Sequence, residues 1–119
     1  MPKIESYQPG KIVVEGKIYT RDILISTDGT VKNRDDVYLK FVNHMVKQSE
    51  INELLKDYPE VIVIGTGEKE KLKLSFRIER LIADMKADLI ALPTLKAVEQ
   101  YNKLVNEGKK AAALFHLAD

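Results

Sequence analysis

The sequence predicts an α/β sandwich with an added N-terminal β unit. Three observations carry that prediction. The first thirty residues hold only short β-rich runs broken by tight-turn pairs. Two later runs, 61–64 and 88–92, are apolar on both faces, as buried parallel strands are. Amphipathic helical stripes lie before, between and after those runs.

The β unit is read from "KIVVEGKIY", two runs around Glu15-Gly16 that suit a hairpin with a tight turn. "DILIS" (22–26) follows as a strand and "TDGT" closes it, with Asp28-Gly29 suited to positive φ. Residues 31–48 fit neither the helix nor the strand period and are read as irregular or extended. From Ser49, a candidate N-cap, Ile51, Leu54, Leu55 and Tyr58 mark one helical face, and Pro59 ends the segment. "VIVIG" is a central strand. "KLKL" (71–74) alternates as a lysine-protected edge strand would. Ile78, Leu81, Ile82 and Met85 make the second helical stripe, and "DLIALP" the next buried strand. Thr94 is expected to cap a third helix with the stripe Ala97, Val98, Tyr101, Leu104 and Val105, and Gly108 to sit at its C′ position. "AAALFHLA" (111–118), small and uncharged, is expected inside the sheet.

At 119 residues and 13.5 kDa the chain, 1–119, is read as a single domain. A 45% hydrophobic and 31% charged composition is that of an ordinary globular protein. Nineteen basic against eighteen acidic side chains leave a net charge of +1, so no broad field recruits nucleic acid or anionic lipid, although a local patch is compatible with that balance. The absence of cysteine excludes disulfides, thiolate metal sites and cysteine nucleophiles. With only His44 and His116, no histidine-rich metal site is expected, and no cofactor. The first residues hold no apolar signal core, and no run approaches a membrane span; the expected location is the cytoplasm, with no membrane.

"VIVIGTGEKEKLKLS" raises the question of a phosphate loop. Gly65 and Gly67 match two positions of a dinucleotide fingerprint, but Lys69 replaces the third glycine, no helix follows at once, and Glu68 and Glu70 would repel a phosphate. No Gly-Lys-Ser/Thr completes a P-loop. A subtler rim remains. If 61–64 and 88–92 run parallel, the N–H groups of Thr66 and Gly67 face the start of the helix at Thr94, where free donors and a partial positive charge suit a small anionic ligand. Gly65, Thr66, Gly67, Thr94 and Asn102 are therefore the candidate ligand residues. The bland alternative is a turn and a cap. Asn102, at the border of its helix face, suits a structural hydrogen bond, and Tyr101 suits core packing with its hydroxyl near the surface. His116 is read as a hydrogen-bonded core histidine, His44 as the better candidate for a working one, and Asp35-Asp36 as a solvated turn. No base–nucleophile pair is visible, so nothing positive supports an enzyme.

Residues 61–67, "VIVIGTG", together with 93–117, "PTLKAVEQYNKLVNEGKKAAALFHL", resemble a small single-domain α/β family without an assigned reaction. It includes the mitochondrial assembly factor 3 of respiratory complex I and an adipogenesis-associated protein. The resemblance implies three layers, a mixed central sheet flanked by helices and an additional N-terminal β-hairpin unit. Its glycine loop falls on Gly65, Thr66 and Gly67, and its threonine and Tyr-Asn positions on Thr94, Tyr101 and Asn102. No import presequence accompanies the likeness.

Two functions compete. One is a non-enzymatic interaction or assembly-factor module whose surface, for a protein partner or a homodimer, uses Tyr38, Phe41, His44 and Met45. The other is a small-molecule or anion binder, or an enzyme, built on the 65–67 loop and the Thr94 helix start. Nucleic-acid binding is not expected, because the tyrosines are not interleaved with basic runs.

Overall fold

A computed structural model of the chain describes residues 3–34 and 45–117. Tyr38, Phe41, His44 and the Asp35-Asp36 pair lie outside those residues.

The chain opens with a small antiparallel sheet of β1 (Ile4–Gln8), β2 (Lys11–Val14) and β3 (Lys17–Tyr19), in that order. The β2–β3 turn places Glu15 at φ 50° and Gly16 at φ 80°, the paired left-handed residues of a twist-matched hairpin. β1 escapes a period-two reading because its register slips between Ile4 and Ser6. Such a bulge shifts later side chains to the other face, and Ile4 and Tyr7, three apart, join one apolar cluster.

The main sheet contains β4 (Ile23–Ile25), β5 (Val31–Asn33), β6 (Val61–Gly65), β7 (Asp88–Leu92) and β8 (Ala111–Phe115). Its order is β5-β4-β8-β6-β7. β6 runs parallel to both β7 and β8, whereas β4 is antiparallel to β8 and to β5, so the sheet is mixed. β8 is central and entirely buried, as its uncharged small residues require.

Helices α1 (Gln48–Leu55) and α2 (Phe76–Asp84) cover one face; α3 (Thr94–Asn106) and the small sheet cover the other. Alternation along β6 serves both layers: Val61 and Val63 join Ala97, Val98 and Tyr101 of α3, while Ile62 and Ile64 join Ile51, Leu54, Ile78 and Ile82. Truncating one of these fully buried isoleucines to alanine costs about 2–5 kcal/mol. The architecture is thus three-layered α/β, with the added β unit beside α3.

Several sequence expectations are revised. β7 is an edge strand, with Asp88 and Ala91 exposed, rather than a fully buried one. An apolar run reports that helices cover both faces of a strand; it does not report a neighbour on each side. "KLKL" forms no strand; among the described residues it makes one isolated parallel bridge, Lys73 to Met45. Its alternation is real, because Leu72 is buried and Leu74 packs beside it. Helix α1 begins after Lys47, not Ser49: the Glu50 carboxylate accepts the Lys47 N–H at 2.9 Å. It stops at Leu55, because Lys56 leaves the helical region at ψ 143°, three residues before Pro59. Asp57 and Tyr58 both take positive φ, and Tyr58 leaves the helical face to stand 74% exposed. Met85 caps α2 and is also exposed.

Candidate functional site

Parallel pairing of β6 with β7 brings their C-terminal ends to one rim, with Gly65 opposite Leu92. The Thr66 N–H donates to the Leu92 carbonyl at 2.9 Å, and the Thr66 hydroxyl donates to the same oxygen at 3.1 Å. Gly67, at φ 93°, turns the chain so that its N–H donates to Thr94 Oγ1 at 2.8 Å. The Thr94 hydroxyl in turn donates to the His116 carbonyl at 2.7 Å. Thr94 is the first residue of α3, with Pro93 at the cap position, and makes no side-chain cap. Its fully buried hydroxyl instead stitches the glycine loop to the chain beyond β8.

Gly65 is needed for close approach. A Cβ there would stand 3.0 Å from Phe115 Cδ1, 3.1 Å from Thr94 Oγ1 and 3.2 Å from Thr94 Cα. Its own carbonyl accepts the His116 N–H at 2.9 Å. The rim predicted from sequence therefore assembles Gly65, Thr66, Gly67 and Thr94.

Asn102 does not join it. Its amide makes two hydrogen bonds to Ile4, accepting from the backbone N–H at 2.9 Å and donating to the carbonyl at 2.8 Å, and so fastens β1 to α3.

The start of α3 already holds an anion. Glu68 Oε2 accepts the Leu95 N–H at 3.2 Å and the Tyr7 hydroxyl at 2.6 Å. A carboxylate at a helix N-terminus is favoured by the unpaired N–H groups and the axial dipole. Burial, then the hydrogen bond and negative charge of Glu68, push the Tyr7 hydroxyl well above its usual pKa, against a smaller opposing effect from Thr94. The glutamate expected only to repel a phosphate occupies the place that a phosphate would take.

Sequence reasoning missed a second constellation, which is buried and charged. Arg34 Nε and Nη2 grip Glu50 at 2.6 and 3.1 Å, Nη1 meets Asp22 Oδ2 at 2.9 Å, and Nη2 donates to the Met45 carbonyl at 3.1 Å. Asp22 continues the chain to His116 Nδ1 at 2.6 Å and accepts the Leu117 N–H at 2.8 Å. Burial alone would raise the Asp22 carboxyl, but His116, the Leu117 N–H and the Arg34 charge outweigh it and hold the pKa below the ordinary value. The network joins the residue before β4, the residue after β5, the first turn of α1 and the chain after β8. Its members lie up to 95 positions apart, and the one local signal was Asp22 directly before the apolar run 23–25. His116 is the hydrogen-bonded core histidine that the sequence suggested.

The Tyr101 hydroxyl, expected near the surface, is buried without a hydrogen-bond partner among the described residues, and the Tyr101 ring meets Phe115 edge-on at 5.8 Å. Burial, reinforced by the charge of Glu15, raises its pKa. Among the described residues no three histidine or acidic side chains converge to hold a metal, and no helix is long and apolar enough to cross a membrane.

The model of a protein family of unknown function, DUF498/DUF598, matches residues 4–116. The chain belongs to that family. A relative from Francisella tularensis subsp. holarctica (strain LVS), named 13 kDa major membrane protein, is 27% identical over 92% of this chain and 86% of its own. A conserved hypothetical protein from Pyrococcus horikoshii OT3 superposes with a TM-score of 0.85 at 26% identity, covering 98% of this chain and 99% of that one. An outer membrane protein from Bartonella henselae shares the fold with a TM-score of 0.82 at 23% identity, covering 99% and 96%. Each of the two superpositions spans 98% or more of this DUF498/DUF598 chain.

Proposed function

We propose that this DUF498/DUF598 protein is a non-enzymatic interaction or assembly module. The observation that carries the proposal is the self-satisfied rim. Gly67, Thr66 and Thr94 spend their polar groups on one another and on neighbouring backbone, while Glu68 fills the start of α3. A ligand at Gly65, Thr66, Gly67 and Thr94 would first have to displace Glu68, and Asn102 stands outside that reach, committed to Ile4.

Surface suited to a protein lies elsewhere. A groove of about 300 Å³ between the end of α1 and α2 is lined by Leu55, Tyr58, Leu81 and Met85, with Asn52, Lys56 and Asp57 around it. An exposed tyrosine beside such a groove fits the aromatic anchors that dominate protein interfaces. Met45, the described member of the surface read from sequence, is also exposed. The resemblance to the assembly factor of respiratory complex I supports the same reading, with a protein partner or a second copy as the bound species and the cytoplasm as the location. The Francisella relative is named a membrane protein, and among the described residues of this chain no helix is long and apolar enough to cross a membrane.

The test pairs two measurements. Thermal denaturation with nucleotides, carboxylates and inorganic anions is expected to show no stabilisation, whereas a ligand at a hundred times its Kd would add about 2.7 kcal/mol. Cross-linking in source cells is expected to yield a discrete product that Tyr58→Ser with Met85→Ser abolishes at unchanged melting temperature. Stabilisation by one compound, lost in Gly67→Val, would establish the ligand-binding alternative instead.

A further inference from the structure

We infer that the stretch 69–80 is a docking face for an anionic phospholipid surface, with Phe76 as the side chain that enters it. This face adjoins the Tyr58 groove at Leu81, but the inference does not depend on that groove. A net charge of +1 averages over a marked asymmetry. Lys69, Lys71, Lys73, Arg77 and Arg80 are five basic side chains in twelve residues, against Glu70 and Glu79, so the rest of the chain is net negative.

The fold turns this charge outward. Leu72 is buried and Leu74 packs on the α1–α2 core, so the strand-like alternation leaves Lys71 and Lys73 exposed, with Lys69 exposed before them. Phe76 follows at the first position of α2 and is 77% exposed. The Ser75 hydroxyl accepts the Ile78 N–H at 3.2 Å, which fixes the helix start at Phe76. Arg77, next to Phe76, and Arg80, one turn on, line one cavity of about 320 Å³ over Ile78 and Leu81, large enough for a headgroup; Asp84 shares it, so discrimination for anions rests on the exposed face.

The pattern favours a lipid surface over other polyanions. One exposed aromatic side chain in a stretch of five exposed cations, with exposed Met45 bridged to Lys73, offers apolar atoms to an acyl boundary and requires no shape complement. A nucleic-acid track needs successive stacking rings along a groove, and this stretch has one ring. Near an anionic leaflet each basic side chain strengthens binding about fivefold, within a Debye length of about 8 Å.

The test is co-sedimentation with vesicles of phosphatidylcholine alone and with one-third phosphatidylglycerol. The protein is expected to bind the anionic vesicles and not the neutral ones, and to lose affinity as salt rises. Lys69→Gln, Lys73→Gln and Arg77→Gln together should weaken binding about 100-fold. Phe76→Ser should weaken it about tenfold while leaving the salt dependence intact. Tyr58→Ser, away from the face, should bind as the parent does, and all variants should keep the parent melting temperature. Equal binding to neutral vesicles, no binding to anionic ones at low salt, indifference to Phe76→Ser, or tighter binding to single-stranded RNA or an acidic protein would each overturn the inference.

Discussion

The Gly67 N–H donates to the Thr94 side-chain oxygen at 2.8 Å, joining two residues 27 positions apart inside the protein. Because that hydroxyl also serves the His116 carbonyl, one buried atom holds three segments together. Thr94→Val keeps the shape and removes both bonds, leaving a buried donor and a buried acceptor unpaired. It should cost about 2–6 kcal/mol by urea denaturation, since each such group costs about 1–3 kcal/mol. Thr94→Ser retains the oxygen and should cost only about 1 kcal/mol for the lost methyl. Equal losses from the two variants would show that packing, and not the hydroxyl, matters here.

Gly65→Ala tests the close approach at the same rim. The new methyl would press on the Phe115 ring and on Thr94 Cα, and the latter, as backbone, yields less than a side-chain end does. Overpacking of this kind costs about 1–3 kcal/mol. Phe115→Leu should return part of that loss in the double variant, by relieving the 3.0 Å contact. Simple additivity of the two losses would place the strain elsewhere.

These two residues also mark how far the sequence was legible. Period and apolar composition are local properties, so β6, β8, the stripe of α3 and the Gly108 ending were readable. α3 closes with Gly108 at φ 79° and bonds from Gly108 and Lys109 back to Val105 and Leu104. The proximity of the glycine loop to Thr94 followed from parallel pairing. What Thr94 does there did not, because it depends on His116, which arrives from the far end of the chain. The bulge in β1 hid that strand, and β5 has one apolar residue in three. Arg34, Glu50 and Asp22 read singly as ordinary surface charges; only tertiary folding converts them into a buried network.

That network should govern the acid limb of stability. The Asp22 carboxyl titrates below its ordinary value of 3.8 in the folded protein. Its stabilisation is therefore fully present above the unfolded value and is lost as pH falls through the lower folded value. Asp22→Asn should cost about 3 kcal/mol at neutral pH and give a flatter curve below about pH 4, so that the two curves converge in acid. Parallel curves would exclude Asp22 as the source. Arg34→Met, which strands two carboxylates, should cost about 3–5 kcal/mol, and adding Asp22→Asn with Glu50→Gln should restore part of it.

The Tyr7–Glu68 contact decides whether the start of α3 is closed. With the carboxylate 2.6 Å away, ionising the phenol would set two negative charges against each other, and burial adds to the penalty. In Glu68→Ala the hydrogen bond and the charge vanish but the burial stays, so the Tyr7 titration, isolated by subtracting a Tyr7→Phe spectrum, should fall part of the way toward 10. The same variant uncovers the Leu95 N–H and should lose about 1 kcal/mol, whereas Glu68→Gln keeps an acceptor there and should lose less. Inorganic phosphate should then stabilise Glu68→Ala and leave the parent unchanged, because only the variant offers the helix donors to an outside anion. A Tyr7 titration identical in parent and variant would mean that Glu68 does not sit on the helix start in solution, and the self-filled rim would lose its anion.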